Sequence, residues 1–427
     1  MGVTVIKPGV CTTVQDCGRY GYMGSGFSPS GVMDRRAFRV ANLLLENDPN
    51  APVLEFCLAG PTLRFTTNTF VAITGADFNP TLNGQPVPMY QAVLVKRGSV
   101  LSFTAPRKGV YGYLAIAGDS LAVPEVMGSR STNLKCAIGG WKGAKLETGD
   151  YLPFTTKSID FLPNLDSHKL EGMDSFYQWD ADEITLRVVP GPQDNMFTAA
   201  GQDAFYHEVY RTTPQCDRMG FRLDGPVIET VDGSDIISDG IPFGAVQVPN
   251  HGRPIIMLAD RQTTGGYAKI GTVATVDIPK LVQCPPGRAI RFSRISVQEA
   301  QELYRKEAAT MKSLLRKVTR PSGGGISPRR TARRLLPVLE RQSKESAGQT
   351  LWIEMSERME AAARAAESDA DKPSAQMQHG QPAPDVHAVP ATVGAAPLRR
   401  SPDRRRSNST ENVLADHPPD GAPGAGK

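Results

Sequence analysis

The feature that most constrains the fold is a succession of short apolar runs separated by turn residues. Residues 53–154 contain VLEFCLAG, TLRF, FVAITGA, AVLVKRG, VLSF and VYGYLAIAG. Runs of this length, rich in β-branched and aromatic residues, are typical of antiparallel strands. Asn83-Gly84 is the signature of a two-residue type I′ hairpin. A second series of such runs extends from residue 185 to Phe292, so we predict a mainly β protein with two tandem β domains and a few helices.

Helical patterns are confined to a few segments. Asp34 precedes an amphipathic run that begins RRAFRV, and its carboxylate is well placed to cap the first turn. Ser296 is placed in the same way before a second amphipathic run. We therefore predict a first domain over 1–155, a linker over 156–184, a second domain over 185–296 and a helix over 297–320.

The composition changes after Arg320. A Pro-Ser-Gly-Gly-Gly segment opens a basic stretch, a further helix is plausible over 351–367, and residues 373–427 contain few large apolar side chains. A segment of that kind cannot bury a core. We therefore predict that the tail over 321–427 is largely disordered. An anionic partner for its basic run is possible, although a solvated tail is the simpler interpretation.

Composition narrows the range of functions. A net charge of +4 over 427 residues is too small to indicate a nucleic-acid or membrane partner. No apolar run approaches the roughly 20 residues that span a bilayer, and the N-terminus does not resemble a signal peptide. The six cysteines form no CxxC pair, so we predict no metal site and a reducing, cytoplasmic environment.

The segment 244–271 is the first candidate site. Residues 255–259 (IIMLA) read as a buried strand, and a dense set of polar residues with two glycines follows: Asp260, Arg261, Gln262, Thr263, Thr264, Gly265, Gly266 and Tyr267. Polar groups delivered from a buried strand onto a glycine turn are a common way to build a binding site. The alternative is a tight hairpin whose polar residues only satisfy the turn.

A second candidate is the segment Gly128-Ser129-Arg130-Ser131-Thr132. Hydroxyl groups and backbone amides around an arginine can hold a carboxylate, a carboxamide or a phosphate. The Walker pattern is absent, so the sequence does not support a mononucleotide-binding P-loop.

Several ordered motifs resemble one known family. They are VQDCGRYGYMGSGFSPSGVMD, GSRST, CDRMGFRLDG and GAVQVPNHGRPIIMLADRQTTGGY, within residues 3–300. They resemble the KipA/PxpC family, the C subunit of bacterial 5-oxoprolinase, also described as allophanate hydrolase subunit 2-like. The resemblance implies two cyclophilin-like β-barrel subdomains and a carboxyltransferase-type site. It also implies two partner subunits, one KipI/PxpB-like and one LamB/YcsF-like, and ATP-dependent opening of 5-oxo-L-proline to L-glutamate.

Such a reaction needs donors for developing oxyanions and a carboxylate that handles protons or anchors the substrate N–H. The predicted catalytic residues are Asp260, Gln262, Thr264 and Arg218, and the predicted substrate-binding residues are Arg130, Ser129, Thr132, Gln247, Thr263 and Tyr267. Asp260 is equally suited to capping a turn. Arg218 and Arg130 are equally suited to a salt bridge with a neighbour such as Asp217.

Three functions remain open. The first is a 5-oxoprolinase component, with ATP bound together with the partner subunits. The second is a carboxyltransferase component that acts on urea or a similar small amide with carboxybiotin from another chain, because this chain has no biotin-attachment site. The third is a regulatory, non-catalytic partner of a KipI-like protein.

Overall fold

The computed structural model describes residues 1–118, 120–155, 165 and 168–318. The tail predicted over 321–427 and the helix predicted over 351–367 lie outside the described residues. Among the helices of the described residues, none combines the length and apolar character needed to cross a membrane.

The first domain consists of two antiparallel sheets. Its strands are β1 (Gly2–Lys7), β2 (Cys11–Gln15), β3 (Val53–Cys57), β4 (Thr62–Phe65), β5 (Thr69–Asp77), β6 (Thr81–Leu82), β7 (Gln85–Pro86), β8 (Ala92–Val95), β9 (Val100–Ser102), β10 (Lys108–Ile116), β11 (Ser120–Leu121) and β12 (Tyr151–Thr155). One sheet has the order β11-β12-β1-β4-β9-β6-β7, and the other has the order β2-β3-β10-β5-β8. The predicted hairpin joins β6 to β7, with φ of 52° at Asn83 and 81° at Gly84, as a type I′ turn requires.

The five-stranded sheet is buried on both faces, which explains its nearly continuous apolar runs. In β5, Val71 and Ile73 belong to the core between the two sheets, whereas Phe70 and Ala72 belong to a second apolar cluster on the opposite face. Successive side chains of a strand point to opposite faces, so one strand serves both clusters. The second cluster also contains side chains from the second domain, such as Phe292. The two domains therefore share one apolar core.

The second domain is a closed barrel with the strand order β13-β20-β17-β18-β15-β14-β21. These strands are β13 (Glu183–Pro190), β14 (Tyr210–Thr212), β15 (Gly220–Asp224), β17 (Ala245–Gln247), β18 (Ile255–Met257), β20 (Lys269–Val273) and β21 (Ala289–Arg294). The parallel pairing of β13 with β21 closes the barrel. The mainly β fold with few helices is thus confirmed.

Two further strands, β16 (Asp235–Gly240) and β19 (Thr264–Tyr267), form a separate two-stranded sheet. This arrangement corrects the interpretation of segment 244–271, in which a glycine turn follows a strand that extends to Ala259. The strand ends at Met257, and Gly265 lies inside β19, where it pairs with Asp239. The polar residues are therefore carried by the loop after β18 and by β19.

The helices are α1 (Arg35–Leu44), α2 (Ala199–His207), α3 (Ile278–Val282) and α4 (Val297–Val318). Both predicted caps are confirmed. The Asp34 carboxylate accepts the backbone N–H groups of Arg36 and Ala37 at 3.0 and 2.9 Å. Ser296 and Glu299 form a reciprocal capping box, in which Ser296 N–H donates to the Glu299 carboxylate at 2.7 Å.

Gln283, which follows α3, fixes the contact between the two domains. Its amide nitrogen donates to the Asp34 carboxylate and to the Tyr111 carbonyl, both at 2.9 Å, and its oxygen accepts the N–H groups of Val110 and Tyr111. Asp34 is completely buried, and burial raises the pKa of its carboxyl group. Asp34 therefore caps α1 and also accepts a hydrogen bond across the domain junction.

Candidate active site at the junction of the two domains

The structure joins two of the predicted catalytic residues in one ion pair. The Arg218 guanidinium donates to both Asp260 carboxylate oxygens, from Nε at 2.8 Å and from Nη2 at 3.2 Å. Arg218 Nη1 also donates to Glu55 of β3, and Nη2 donates to the Gly31 carbonyl at 2.7 Å. Arg218 is thus held by both domains, since Glu55 and Gly31 belong to the first and Asp260 to the second.

Arg218 and Glu55 are buried, which makes their charges depend on one another. Burial alone disfavours the charged guanidinium, but the Asp260 and Glu55 carboxylates outweigh it and hold the pKa of Arg218 well above its ordinary value. Burial also raises the pKa of Glu55, an effect that the charge of Arg218 opposes. The side chains of Arg218 and Asp260 retain 11% and 15% exposure, whereas that of Glu55 retains 2%, so Arg218 and Asp260 keep some access to solvent.

Further hydrogen bonds orient Glu55. Its Oε2 accepts the Met33 N–H at 2.7 Å and the Tyr113 hydroxyl at 2.8 Å, and that hydroxyl in turn accepts the Asp34 N–H at 2.7 Å. Glu55 is not among the residues predicted from the sequence. The available signal was a single charged residue in the middle of the apolar run VLEFCLAG, because a buried carboxylate needs a cationic partner.

A cavity of about 340 Å³ lies in the second domain, next to this network. Asp217 and Met219, on either side of Arg218 in the chain, line it, whereas Arg218 and Asp260 do not. Its apolar wall consists of Met219, Ile255 and Met257, and its polar lining residues are Asp217, Arg222, Gln247, Gln262 and Tyr267. An apolar pocket with a few convergent polar groups is the usual form of a small-molecule site. Gln247, Gln262 and Tyr267 were predicted from the sequence, and the structure brings these three together.

A glycine leaves space in the wall of this cavity. A Cβ atom at Gly265 would lie 2.7 Å from Ile241 Cδ1 and 3.0 Å from Gln247 Nε2. The Gln247 amide donates to the Tyr267 carbonyl at 3.4 Å. Gly265 therefore leaves the space in which the Gln247 amide is held.

The remaining predicted residues of β19 and its loop do not line the cavity. Thr264 begins β19 and is exposed, while Thr263 accepts the Ile241 N–H at its carbonyl at 3.0 Å. Both residues lie close to Gln262 in the chain. The catalytic role of Thr264 and the binding role of Thr263 stay predictions.

The Gly128–Thr132 segment holds a carboxylate, and that carboxylate belongs to the protein itself. Asp16 accepts the Arg130 backbone N–H at 2.6 Å and the Ser129 and Ser131 hydroxyls at 2.6 and 2.5 Å. The Thr132 hydroxyl donates to the Val14 carbonyl at 3.0 Å. The hydroxyl and amide chemistry predicted for this segment is present, but its groups already have internal partners.

Arg130 and Arg19 differ sharply in their surroundings. The Arg130 side chain is 38% exposed and forms an ion pair with Glu125 at 3.3 Å, so the salt bridge is with Glu125 and not Asp217. Arg19, which is not among the residues predicted from the sequence, is completely buried and donates to the Val126 and Ser131 carbonyls at 3.0 and 2.9 Å. Arg19 therefore positions the loop that surrounds Asp16. The substrate-binding roles of Ser129, Arg130 and Thr132 stay predictions.

A metal centre finds no support in the part of the chain that the structure describes. No group of three or more His, Cys, Asp or Glu side chains there is arranged to hold a metal ion.

Comparison with known protein families agrees with this architecture. Residues 25–294, which include the Arg218 network and both domains except β1 and β2, match the carboxyltransferase domain, subdomains A and B. The chain belongs to this family.

Two relatives narrow the assignment within the carboxyltransferase family. The chain is 39% identical over 296 residues to the 5-oxoprolinase C subunit of Escherichia coli (strain K12), covering 69% of this chain and 92% of the relative. It is 35% identical over 294 residues to the 5-oxoprolinase C subunit of Haemophilus influenzae, covering 69% and 91%. The resemblance inferred from the motifs is thereby confirmed.

A crystal structure of the K. lactis urea amidolyase shares the fold, with a TM-score of 0.67 and 30% identity. The match covers 73% of this chain but only 20% of that protein. The chain thus corresponds to about one fifth of the urea amidolyase.

Proposed function

We propose that this chain is the C subunit of an ATP-dependent 5-oxoprolinase, which opens the lactam ring of 5-oxo-L-proline to give L-glutamate. The observation that carries the proposal is the match to the 5-oxoprolinase C subunit of E. coli over 92% of that protein. The name of the relative implies a complex with other subunits. We propose a KipI/PxpB-like protein and a LamB/YcsF-like protein as these partners.

The cavity beside the Arg218 network suits a small amide. Its volume of about 340 Å³ lies at the lower end of the roughly 300–1,000 Å³ that small-molecule sites occupy. Arg222 and Gln262, which line it, would donate to the lactam oxygen as it gains negative charge during attack by water. Tyr267 would close the outer side of the cavity.

Asp260 would anchor the substrate and is less suited to accept its proton. Both of its oxygens already accept hydrogen bonds from Arg218. Each of these hydrogen bonds uses a lone pair that would otherwise receive the proton. A carboxylate oxygen can still accept a further hydrogen bond, so Asp260 would hold the lactam N–H.

ATP hydrolysis supplies the free energy for ring opening, and we propose that the nucleotide binds with the partner subunits. The sequence predicts the Gly128–Thr132 segment as a possible phosphate-binding site of this chain. Its Ser129 and Ser131 hydroxyls and its Arg130 amide hold Asp16, and a phosphate there would have to displace that carboxylate. We therefore assign no residue of the Gly128–Thr132 segment to ATP.

The test is reconstitution of this chain with both partner proteins, followed by measurement of L-glutamate released from 5-oxo-L-proline. We expect release only with ATP and with all three proteins present. Absence of glutamate from the complete mixture would refute the proposal. A stable complex without turnover would instead favour the regulatory function.

One substitution tests the site within that assay. Asp260→Asn preserves the shape of the side chain but removes the charge that faces Arg218, so we expect turnover to be lost while the complex still assembles. The matched control is Asp180→Asn, since the Asp180 side chain is 87% exposed in its ion pair with Lys108. Full activity of Asp260→Asn would remove this residue from the site.

A second function, carboxyl transfer from carboxybiotin to urea or a similar small amide, is favoured by the similarity to the urea amidolyase structure. The biotin would be attached to another chain. Incubating the protein with a carboxybiotin carrier and urea, and measuring loss of the carboxyl group from biotin, distinguishes this function from lactam opening.

A further inference from the structure

Two arginines from different domains lie against one phenyl ring. The guanidinium carbon of Arg35, in the first turn of α1, is 4.8 Å from the centre of the Phe243 ring. The guanidinium carbon of Arg261, in the loop after β18, is 5.7 Å from the same centre. Phe243 lies between β16 and β17, so the cluster bridges the two domains.

Neither guanidinium is paired with a carboxylate of the described residues. Arg261 is 5% exposed; its Nε and Nη1 donate to the Ile241 and Leu258 carbonyls at 2.8 and 3.2 Å, and its Nη2 donates weakly to the Met23 sulfur at 3.9 Å. Arg35 donates to the Tyr20 hydroxyl, and its buried Nε has no hydrogen-bond partner among those residues.

Two neighbouring arginines, unlike Arg35 and Arg261, form ion pairs with carboxylates. Nη1 of Arg36, the next residue of α1, donates to both carboxylate oxygens of Glu307 in α4 at 2.6 Å, and Arg218 contacts Asp260 and Glu55. The structure thus neutralises two arginines at the junction with carboxylates, whereas Arg35 and Arg261 keep their charge without one among the described residues.

Burying the Arg261 guanidinium without a carboxylate partner disfavours its charged form. Burial lowers the pKa of Arg261 to about 10, and the positive charge of Arg35 adds to that effect. A carboxylate beside the two cations would remove this repulsion, as would a phosphate. Charge-assisted hydrogen bonds from a guanidinium to such groups are among the strongest that proteins form.

We propose that Arg35 and Arg261, which both pack against the Phe243 ring, bind the oxyanion of a small-molecule ligand at the domain junction together with the Tyr20 hydroxyl. Two sources of that group fit the chemistry, the carboxylate of an amide substrate and the phosphate of a nucleotide. Arg261 immediately precedes Gln262, which lines the cavity of the second domain. The anion site and the amide cavity therefore share one loop.

The inference rests on the proposed function only where the ligand is taken to be the amide substrate. It is tested by isothermal titration calorimetry on the full chain without partner proteins. The probes are inorganic phosphate, 5-oxo-L-proline and 2-pyrrolidinone, which has the same lactam ring but no carboxylate. We expect one of the two anions to bind saturably at millimolar concentration, and its identity distinguishes the two sources. We expect 2-pyrrolidinone to bind without dependence on Arg35.

Three variants complete the test. Arg35→Gln should weaken anion binding by about tenfold or more, the effect of losing one charge-assisted hydrogen bond. Tyr20→Phe should weaken anion binding less than Arg35→Gln does. We expect this variant to fold normally because the Tyr20 side chain is 53% exposed. Arg64→Gln, at an exposed arginine of β4, is the matched control and should leave binding unchanged.

Absence of saturable binding by both anions would overturn the inference, as would equal weakening in Arg35→Gln and Arg64→Gln. The experiment uses the isolated chain and needs no turnover. Its failure is therefore distinguishable from a failure of the proposed lactam reaction, which is measured in the assembled complex.

Discussion

Replacing Arg218 with methionine should destabilise the protein strongly, and the structure indicates by how much. The substitution keeps most of the aliphatic stem but removes the guanidinium that contacts Glu55 and Asp260. Glu55 is 2% exposed and would be left as a buried carboxylate without a cation. Breaking a buried pair in this way costs about 3–5 kcal/mol, which we expect as the loss in free energy of unfolding at pH 8.

The loss should depend on pH in a defined direction. Burial raises the pKa of Glu55 in the folded protein, and Arg218 opposes that rise. Without Arg218 the pKa of Glu55 rises further above its unfolded value of about 4.3. The proton that the folded variant takes up stabilises it below that unfolded value, and this contribution is lost as the pH rises through the folded pKa. The deficit relative to wild type should thus be smaller at pH 5.5 than at pH 8.

Urea unfolding followed by tryptophan fluorescence measures both effects. The matched control is Arg107→Met, because Arg107 is 63% exposed in its ion pair with Asp77 at 3.3 Å and should cost no more than about 1 kcal/mol. Adding Glu55→Gln to Arg218→Met should recover part of the loss, since it removes the uncompensated charge. A deficit no larger than that of the control, or one without pH dependence, would refute the reasoning.

Three further predictions concern separate parts of the molecule. Asp16→Asn should lower the free energy of unfolding by about 1–3 kcal/mol in urea titrations, because charge-assisted hydrogen bonds hold the loop 128–132; an unchanged midpoint would contradict this. Gly265→Ala should raise the KM for the amide substrate of the assembled complex while costing about 1 kcal/mol of stability, since its Cβ would press on Gln247; an unchanged KM would separate Gln247 from the site. Cys11 should be alkylated by iodoacetamide with a midpoint near pH 7, because a hydrogen bond from Cys57 lowers its pKa to about 7. Cys57→Ala should move that midpoint upward in mass-spectrometric rate measurements, and an unmoved midpoint would exclude the hydrogen bond as the cause.

The sequence by itself determined those features whose interactions are local. The hairpin at Asn83-Gly84 follows from the left-handed backbone that these two residues accept. The caps formed by Asp34 and Ser296 satisfy amides within three residues of each side chain. The strands of the two domains are also predicted from local information, because the order of apolar and polar residues along a strand shows which of its side chains face an apolar cluster. Spacing alone was therefore sufficient for these elements.

Only the tertiary structure decided which charged groups meet. Glu55 is 163 residues from Arg218 in the chain, and Asp16 is 113 residues from Ser129. No sequence spacing encodes such pairs, because they depend on the packing of one domain against the other and of distant loops within a domain. The same holds for Gly265, which the sequence assigned to a turn and the structure assigns to β19 through its pairing with Asp239. The residue types indicated the chemistry of the site, whereas long-range packing decided which side chains contact one another there.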